Sequence, residues 1–158
     1  MEIEKKYLVK YMPPDLEKYE NYDIEQAYLC QNPTLRIRRK GAKYIFTYKK
    51  RINEGDEKLN VADEIESEID FDAYMHLFKK ADGIPIHKTR YIIPYDGYNI
   101  ELDVFHGKRE GFCLAEVEFL SVEDSKDFTP PEWFGEDVSG DIRYTNNYMA
   151  LHDFDGKA

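Results

Sequence analysis

Residues 2–9 read EIEKKYLV, with Glu2, Glu4 and Lys6 on one side of a period-two pattern and Ile3 and Tyr7 on the other. A β-strand sends successive side chains to opposite faces, so this stretch predicts a strand with one charged face and one more apolar face. In an isolated strand the charged face would simply meet water. Here the pattern recurs along the chain. Arg36 and Arg38 alternate with Leu35 and Ile37. Lys49 stands two residues after Thr47, with Phe46 and Tyr48 opposite. Glu64, Glu66 and Glu68 alternate with Ile65 and Ile69. Lys88 and Arg90 oppose Thr89 and Tyr91. Glu101 and Asp103 alternate with Leu102 and Val104, and Glu116 and Glu118 with Val117 and Phe119.

These runs fall within eight predicted strands, near Glu2–Val9, Asp23–Leu29, Thr34–Lys40, Lys43–Lys50, Asp63–Ile69, His87–Ile93, Tyr98–Phe105 and Phe112–Phe119. Lys40-Gly41-Ala42 and Asp96-Gly97 are tight hairpin signals, and the polar stretch Asn53–Asn60, with Gly55, predicts a mobile loop. A short turn is expected around Pro13–Tyr19. Helices are predicted at Phe71–Ala81, with Asp70 or Asp72 as cap, at Ser121–Phe128, and at Asp141–His152, after a break at Pro130–Gly135. Trp133 and Phe134 in that break read as core anchors. Short connections between most strands predict one mainly β (α+β) domain over residues 1–158, an antiparallel sheet closing into a barrel with helices packed outside.

Amphipathic helices need an apolar sheet face to cover. If they take the outside, the charged face lines the inside. Unpaired ions in a dry interior cost several kcal/mol each, so such a lumen must be wet and built for a charged ligand. The signs also sort by strand: the third, fourth and sixth are basic, the fifth, seventh and eighth acidic, and the first mixed. Clustered Arg and Lys suit a polyanion, Arg binding phosphate in bidentate fashion. Adjacent carboxylates suit a hard divalent cation such as Mg²⁺ or Mn²⁺. Together they describe a metal–polyphosphate site.

The rest of the composition narrows the field. A net charge of −10 over 158 residues disfavours nucleic acid and anionic membranes as partners, and no apolar run is long enough for a membrane helix. The first residues lack the apolar core of a signal peptide, and Cys30 and Cys113 show no metal spacing, which together predict a cytoplasmic protein with free thiols. The four histidines have no zinc spacing, and no Gly-rich phosphate loop exists, so side chains must hold any phosphate. A lipocalin-like barrel would have a mainly apolar lumen, contrary to this alternation.

At these residues the chain resembles the CYTH domains, or triphosphate tunnel metalloenzymes. Their N-terminal ExExK signature stands here as Glu2-Ile3-Glu4-Lys5-Lys6. The resemblance continues in order through Arg36-Ile37-Arg38, Thr47-Tyr48-Lys49, Glu64-Ile65-Glu66, Lys88-Thr89-Arg90, Glu101-Leu102-Asp103 and Glu116-Val117-Glu118. It implies an eight-stranded antiparallel tunnel and action on triphosphates with Mg²⁺ or Mn²⁺. The stretches Pro130–Gly135 and Asp141–Asn146 look like the short bacterial members, which include inorganic tripolyphosphatases, with a C-terminal helix plugging one tunnel end. By that resemblance Arg36, Arg38, Lys49, Lys88 and Arg90 bind triphosphate, with Arg143 reaching the tunnel end. Glu2, Glu4, Asp103, Glu116 and Glu118 hold metal, directly or through water. Lys6 and Tyr28 match groups near the reacting phosphate, and Glu4 is a candidate to orient water or accept its proton. Glu64, Glu66 and Glu101 are further candidates; alternation alone does not separate the first two from Glu68. An organic triphosphate (of a nucleoside or of thiamine), a class IV adenylate cyclase activity and a non-catalytic polyphosphate-binding module are the alternatives, and a homodimer is left open.

Overall fold

The computed structural model describes residues 2–52 and 60–152. The loop expected over Asn53–Asn60 lies outside the described residues, except Asn60, which begins a strand. Eight strands are those expected, with longer bounds in places: β1 (Glu2–Val9), β2 (Glu20–Cys30), β3 (Thr34–Lys40), β4 (Lys43–Arg51), β5 (Asn60–Ile69), β6 (Asp82–Tyr95), β7 (Tyr98–Phe105) and β8 (Cys113–Phe119). They run antiparallel in the order β5-β4-β3-β2-β6-β7-β8-β1, and pairing of β5 with β1 closes the barrel. Both hairpin turns form where Gly punctuates the sequence. At the β6–β7 turn Asp96 and Gly97 both take positive φ, as a type I′ turn demands.

A ninth strand, β9 (Phe134–Asp137), was not expected. Its cause is tertiary. Among the described residues β1 pairs with β5 through Glu2–Glu4, and further along the same edge it pairs with β9, setting Tyr7 opposite Asp137 and Val9 opposite Phe134. The start of β6 was also missed. Gly83 and Pro85 fall in this added stretch, where the β2–β6 register shifts between Gln26 and Tyr28, an irregularity that tolerates Pro.

Helix α1 (Phe71–Phe78) is capped by Asp70, whose Oδ1 accepts from Ala73 N at 2.8 Å, and α2 (Val122–Asp127) by Ser121, whose Oγ accepts from Asp124 N at 3.1 Å. The helix expected over Asp141–His152 is instead two pieces, a 3-10 turn at Ile142–Tyr144 and α3 (Asn146–Leu151). Thr145 between them is extended, and its Oγ1 accepts from Tyr148 N, so a residue read as helix interior is the cap of a new helix.

Two apolar clusters lie outside the barrel wall. Phe128 and Phe134 cover Ile3, Tyr7, Leu102, Val117 and Phe119, with Trp133 packed alongside. The Phe128 ring meets Phe119 at 5.4 Å and Tyr98 at 5.5 Å, edge to face. Tyr74 of α1 covers Ala27 and Ile37 on β2 and β3. The third cluster is inside. The inward row changes from charge to hydrocarbon at one level on four neighbouring strands: after Lys6 comes Leu8, after Glu116 Leu114, after Asp103 Phe105, and after Lys88 Ile86. Tyr144, Met149 and Ala150 pack onto that layer from the C-terminal segment. The expected plug therefore exists, and its apolar floor confines the charged lumen to the rest of the barrel.

Candidate active site in the barrel lumen

Register brings the charged faces together. Across β1 and β8, Glu4 stands opposite Glu118 and Lys6 opposite Glu116. Across β4 and β5, Lys49 stands opposite Glu64 and Thr47 opposite Glu66. Arg90 on β6 opposes Asp103 on β7. Because side chains alternate, pairing like parity with like parity turns every one of these groups inward. The lumen runs through three adjoining volumes. One of about 460 Å³ is walled by Glu2, Arg38, Lys40, Glu66, Arg90 and Glu118, among others. A constriction of about 90 Å³ has Glu4, Lys6, Arg36, Lys49, Lys88 and Glu116 in its wall. Beyond it, about 370 Å³ is bounded by Lys6, Tyr28, Arg36 and Arg51 on one side and by Ile142, Asn147 and Tyr148 on the other.

The ions are paired in a graded way. Lys49 Nζ binds Glu2 closely and Glu4 at 3.3 Å. Lys6 Nζ lies 3.4 Å from Glu116 and donates to the Tyr144 carbonyl at 3.0 Å. Arg38 reaches Glu66 at 3.5 Å and Arg36 reaches Thr47 at 3.2 Å, but among the described residues the buried Nε of each has no acceptor. Leaving a buried charged donor unmade is costly, and an incoming anion would satisfy both.

Protonation follows crowding. Burial, with repulsion from Glu116 and Glu2 added, overrides Lys49 and pushes the Glu4 carboxyl up to about 7. Burial and Glu2 push Glu64 up to about 8, and burial with Glu2 and Glu101 raises Glu118. Glu116 is also buried, yet Lys6, Arg90, Lys88 and Lys49 together hold it well below the usual carboxylate range. On the basic side, burial and then Arg36 and Arg90 lower the Arg38 guanidinium, and burial takes Lys88 down to about 8 against the pull of Asp103.

Most of the expected residues converge, with three qualifications. Asp103 was expected to hold metal. It is wholly buried, and its oxygens are taken by Lys88 at 2.8 Å and by Arg90 at 2.7 and 2.9 Å, so it anchors the basic wall. Arg143 was expected at the tunnel end. Its side chain is 52% exposed and bound to Asp141, outside the lumen wall. Of the three alternating acids on β5, Glu64 and Glu66 line the lumen while Glu68 pairs with Lys43, both largely exposed. Glu101 lines the same volume and binds Arg90 at 3.0 Å.

Other lumen residues escaped the sequence reading. Lys40 continues the Arg36, Arg38 alternation and could have been read from it. Gln26 precedes Tyr28 by two and donates to its hydroxyl at 2.7 Å. Asn146 arrives from the C-terminal segment, and no periodicity announces it.

The chain is 39% identical over 156 residues to the inorganic triphosphatase of Nitrosomonas europaea, an alignment spanning 95% of this chain and 97% of that protein. It is 35% identical over 69 residues to the inorganic triphosphatase of Acetivibrio thermocellus, spanning 44% of this chain and 43% of that one. A crystal structure of an inorganic triphosphatase superposes with a TM-score of 0.70 at 36% identity, covering 96% of this chain and 95% of the other. No family model matches the chain.

Proposed function

Because the chain belongs to the inorganic triphosphatase family, we propose that its lumen binds inorganic tripolyphosphate and hydrolyses it to pyrophosphate and phosphate, in the manner of the triphosphate tunnel (CYTH) enzymes. The observation that carries this reading is the sorted lumen: a basic wall with unsatisfied guanidinium donors faces a crowded acidic wall across one enclosed volume.

Arg36 and Arg38 offer free donors to phosphate oxygens, with Lys40 beside the wider volume. Lys88 and Arg90, braced by Asp103, add positive charge. Lys49 must exchange part of its hold on Glu2 and Glu4 for substrate. Lys6 and Tyr28 border the third volume, where Lys6 offsets charge on the attacked phosphate. Glu4, buried in the lumen beside Lys49, accepts the proton as water adds to the terminal phosphorus; the bond to the bridging oxygen breaks and pyrophosphate leaves.

The acidic wall fits a divalent cation. Its donors are all carboxylate oxygens, and burial together with mutual repulsion, which raise Glu4, Glu64 and Glu118, are costs that a hard cation offsets. Among the described residues no three His, Cys, Asp or Glu side chains converge into a finished metal cage. An all-carboxylate set suits Mg²⁺ or Mn²⁺, and Glu2, Glu4, Glu116 and Glu118 would be its protein partners. Such an ion would neutralise phosphate charge and acidify a bound water. The free thiols Cys30 and Cys113 suit a reducing, cytoplasmic setting.

Ile142, Tyr148 and Ala62 give the third volume an apolar side, which favours as a second reading an organic triphosphate with its organic group placed there. The test is phosphate release from tripolyphosphate, ATP and thiamine triphosphate, each with Mg²⁺, Mn²⁺ or chelator. Metal-dependent release from tripolyphosphate above the others supports the first reading. Preference for an organic triphosphate supports the second, and tight binding without turnover of any sinks both.

A further inference from the structure

We infer that Asn146, the first residue of α3, is a positioning residue for the basic wall, so that the plug segment completes the active site as well as closing the barrel. The inference rests on the reading of the lumen as a triphosphate site.

The Asn146 Oδ1 accepts from Lys88 Nζ at 2.9 Å and from Gln26 Nε2 at 3.2 Å, and the same Gln26 nitrogen donates to the Tyr28 hydroxyl at 2.7 Å. One carboxamide thus ties an ammonium on β6 to a phenol on β2. Lys88 is fully buried, and its other acceptor is Asp103 at 2.8 Å. Asp103 is shared with Arg90, and the second acceptor is a neutral oxygen, so the ammonium is held in direction without a carboxylate of its own. A second carboxylate in place of Asn146 would hold Lys88 as firmly and cancel the attraction it offers a polyanion. The choice of a neutral acceptor is therefore chemically specific.

The segment is fixed well enough to do this. Asn147 Nδ2 donates to the Gln31 carbonyl and to Thr34 Oγ1, each at 3.1 Å, fastening the head of α3 to the β2–β3 turn. Lys6 Nζ holds the Tyr144 carbonyl, and Arg109 holds that of Met149. Gly83 has φ +69°, and a Cβ there would overlap the Ala150 carbonyl, so β6 is shaped to receive the end of α3. Two lumen lysines, Lys6 and Lys88, thus take acceptors from the segment that seals the barrel.

The test compares Asn146→Asp and Asn146→Ala with the wild type by tripolyphosphate calorimetry in chelator, steady-state kinetics with metal, and thermal melting. Asn146→Asp is nearly isosteric and gains an ion pair, so it should melt no lower than wild type while Kd and KM rise about tenfold or more, the scale of one charge-assisted hydrogen bond. Asn146→Ala should lower kcat, because Lys88 and Tyr28 lose their shared tether, with a smaller rise in Kd than Asn146→Asp. Equal Kd values in the two variants, or changes in melting with wild-type Kd, KM and kcat, would overturn the inference. A wild type that neither binds nor cleaves tripolyphosphate would instead remove the reading of the lumen on which it rests.

Discussion

Glu4→Gln should stabilise the ligand-free protein while stopping its turnover. Glu4 is 8% exposed and shares Lys49 with Glu2, while Glu116 and Glu2 repel it. Its carboxyl rises from 4.5 to about 7 on folding. An acid whose folded pKa is raised makes the native state lose stability as pH climbs from the unfolded value to the folded one, after which the loss is constant. At about 1.4 kcal/mol per unit, the charged form costs roughly 3 kcal/mol at pH 8 and under about 1 kcal/mol at pH 5. Gln keeps the shape and removes the charge. The variant should therefore gain about 2 kcal/mol more at pH 8 than at pH 5, or roughly 4–8 °C in melting temperature for a chain of this length. Thermal melts of both proteins in chelator at the two pH values give the comparison. A gain that is equal at both, or a loss at pH 8, would refute the electrostatic account of the lumen. Turnover of the variant with Mg²⁺ or Mn²⁺ near the wild-type rate would refute the role given to Glu4.

Three further outcomes follow from the same structure. Arg38→Ala removes a free guanidinium donor, so KM for tripolyphosphate should rise by about tenfold or more; unchanged kinetics would take Arg38 out of the site. Gly83→Ala forces a positive φ on a side chain and drives its Cβ into the Ala150 carbonyl, so it should lose more than about 1 kcal/mol of stability, read as a lower denaturant midpoint. Tripolyphosphate at a hundred times its Kd should stabilise the wild type by about 2.7 kcal/mol, raising its melting temperature in chelator; no shift would mean that the folded lumen does not bind it.

The barrel was legible because one physical rule, period-two alternation, repeats on strand after strand, and because register preserves parity: Glu2, Glu4 and Lys6 could point only where Glu116 and Glu118 point. What escaped depends on the tertiary fold. Phe134–Asp137 is a strand because it returns to pair with the far part of β1, and Asn146 reaches Lys88 because the chain returns to the barrel end. Thr145 lies within a stretch whose pattern predicts continuous helix, yet its hydroxyl caps the next turn. Asp103 and Glu116 share the same alternation, yet Asp103 is consumed by Arg90 and Lys88 while Glu116 lines the lumen. Parity gives a side chain's face, and its neighbours decide its freedom. Arg143 fails for a local reason, since Asp141 two residues earlier binds it first.

The central claim is that the charged lumen performs the hydrolysis. ³¹P NMR of tripolyphosphate with metal, using the wild type and an Arg36→Ala/Arg38→Ala double variant of native melting temperature, tests it most directly. The account predicts equimolar pyrophosphate and phosphate from the wild type, none in chelator, and near silence from the variant. The same products at the same rate from the variant would place the chemistry outside the lumen and contradict the account.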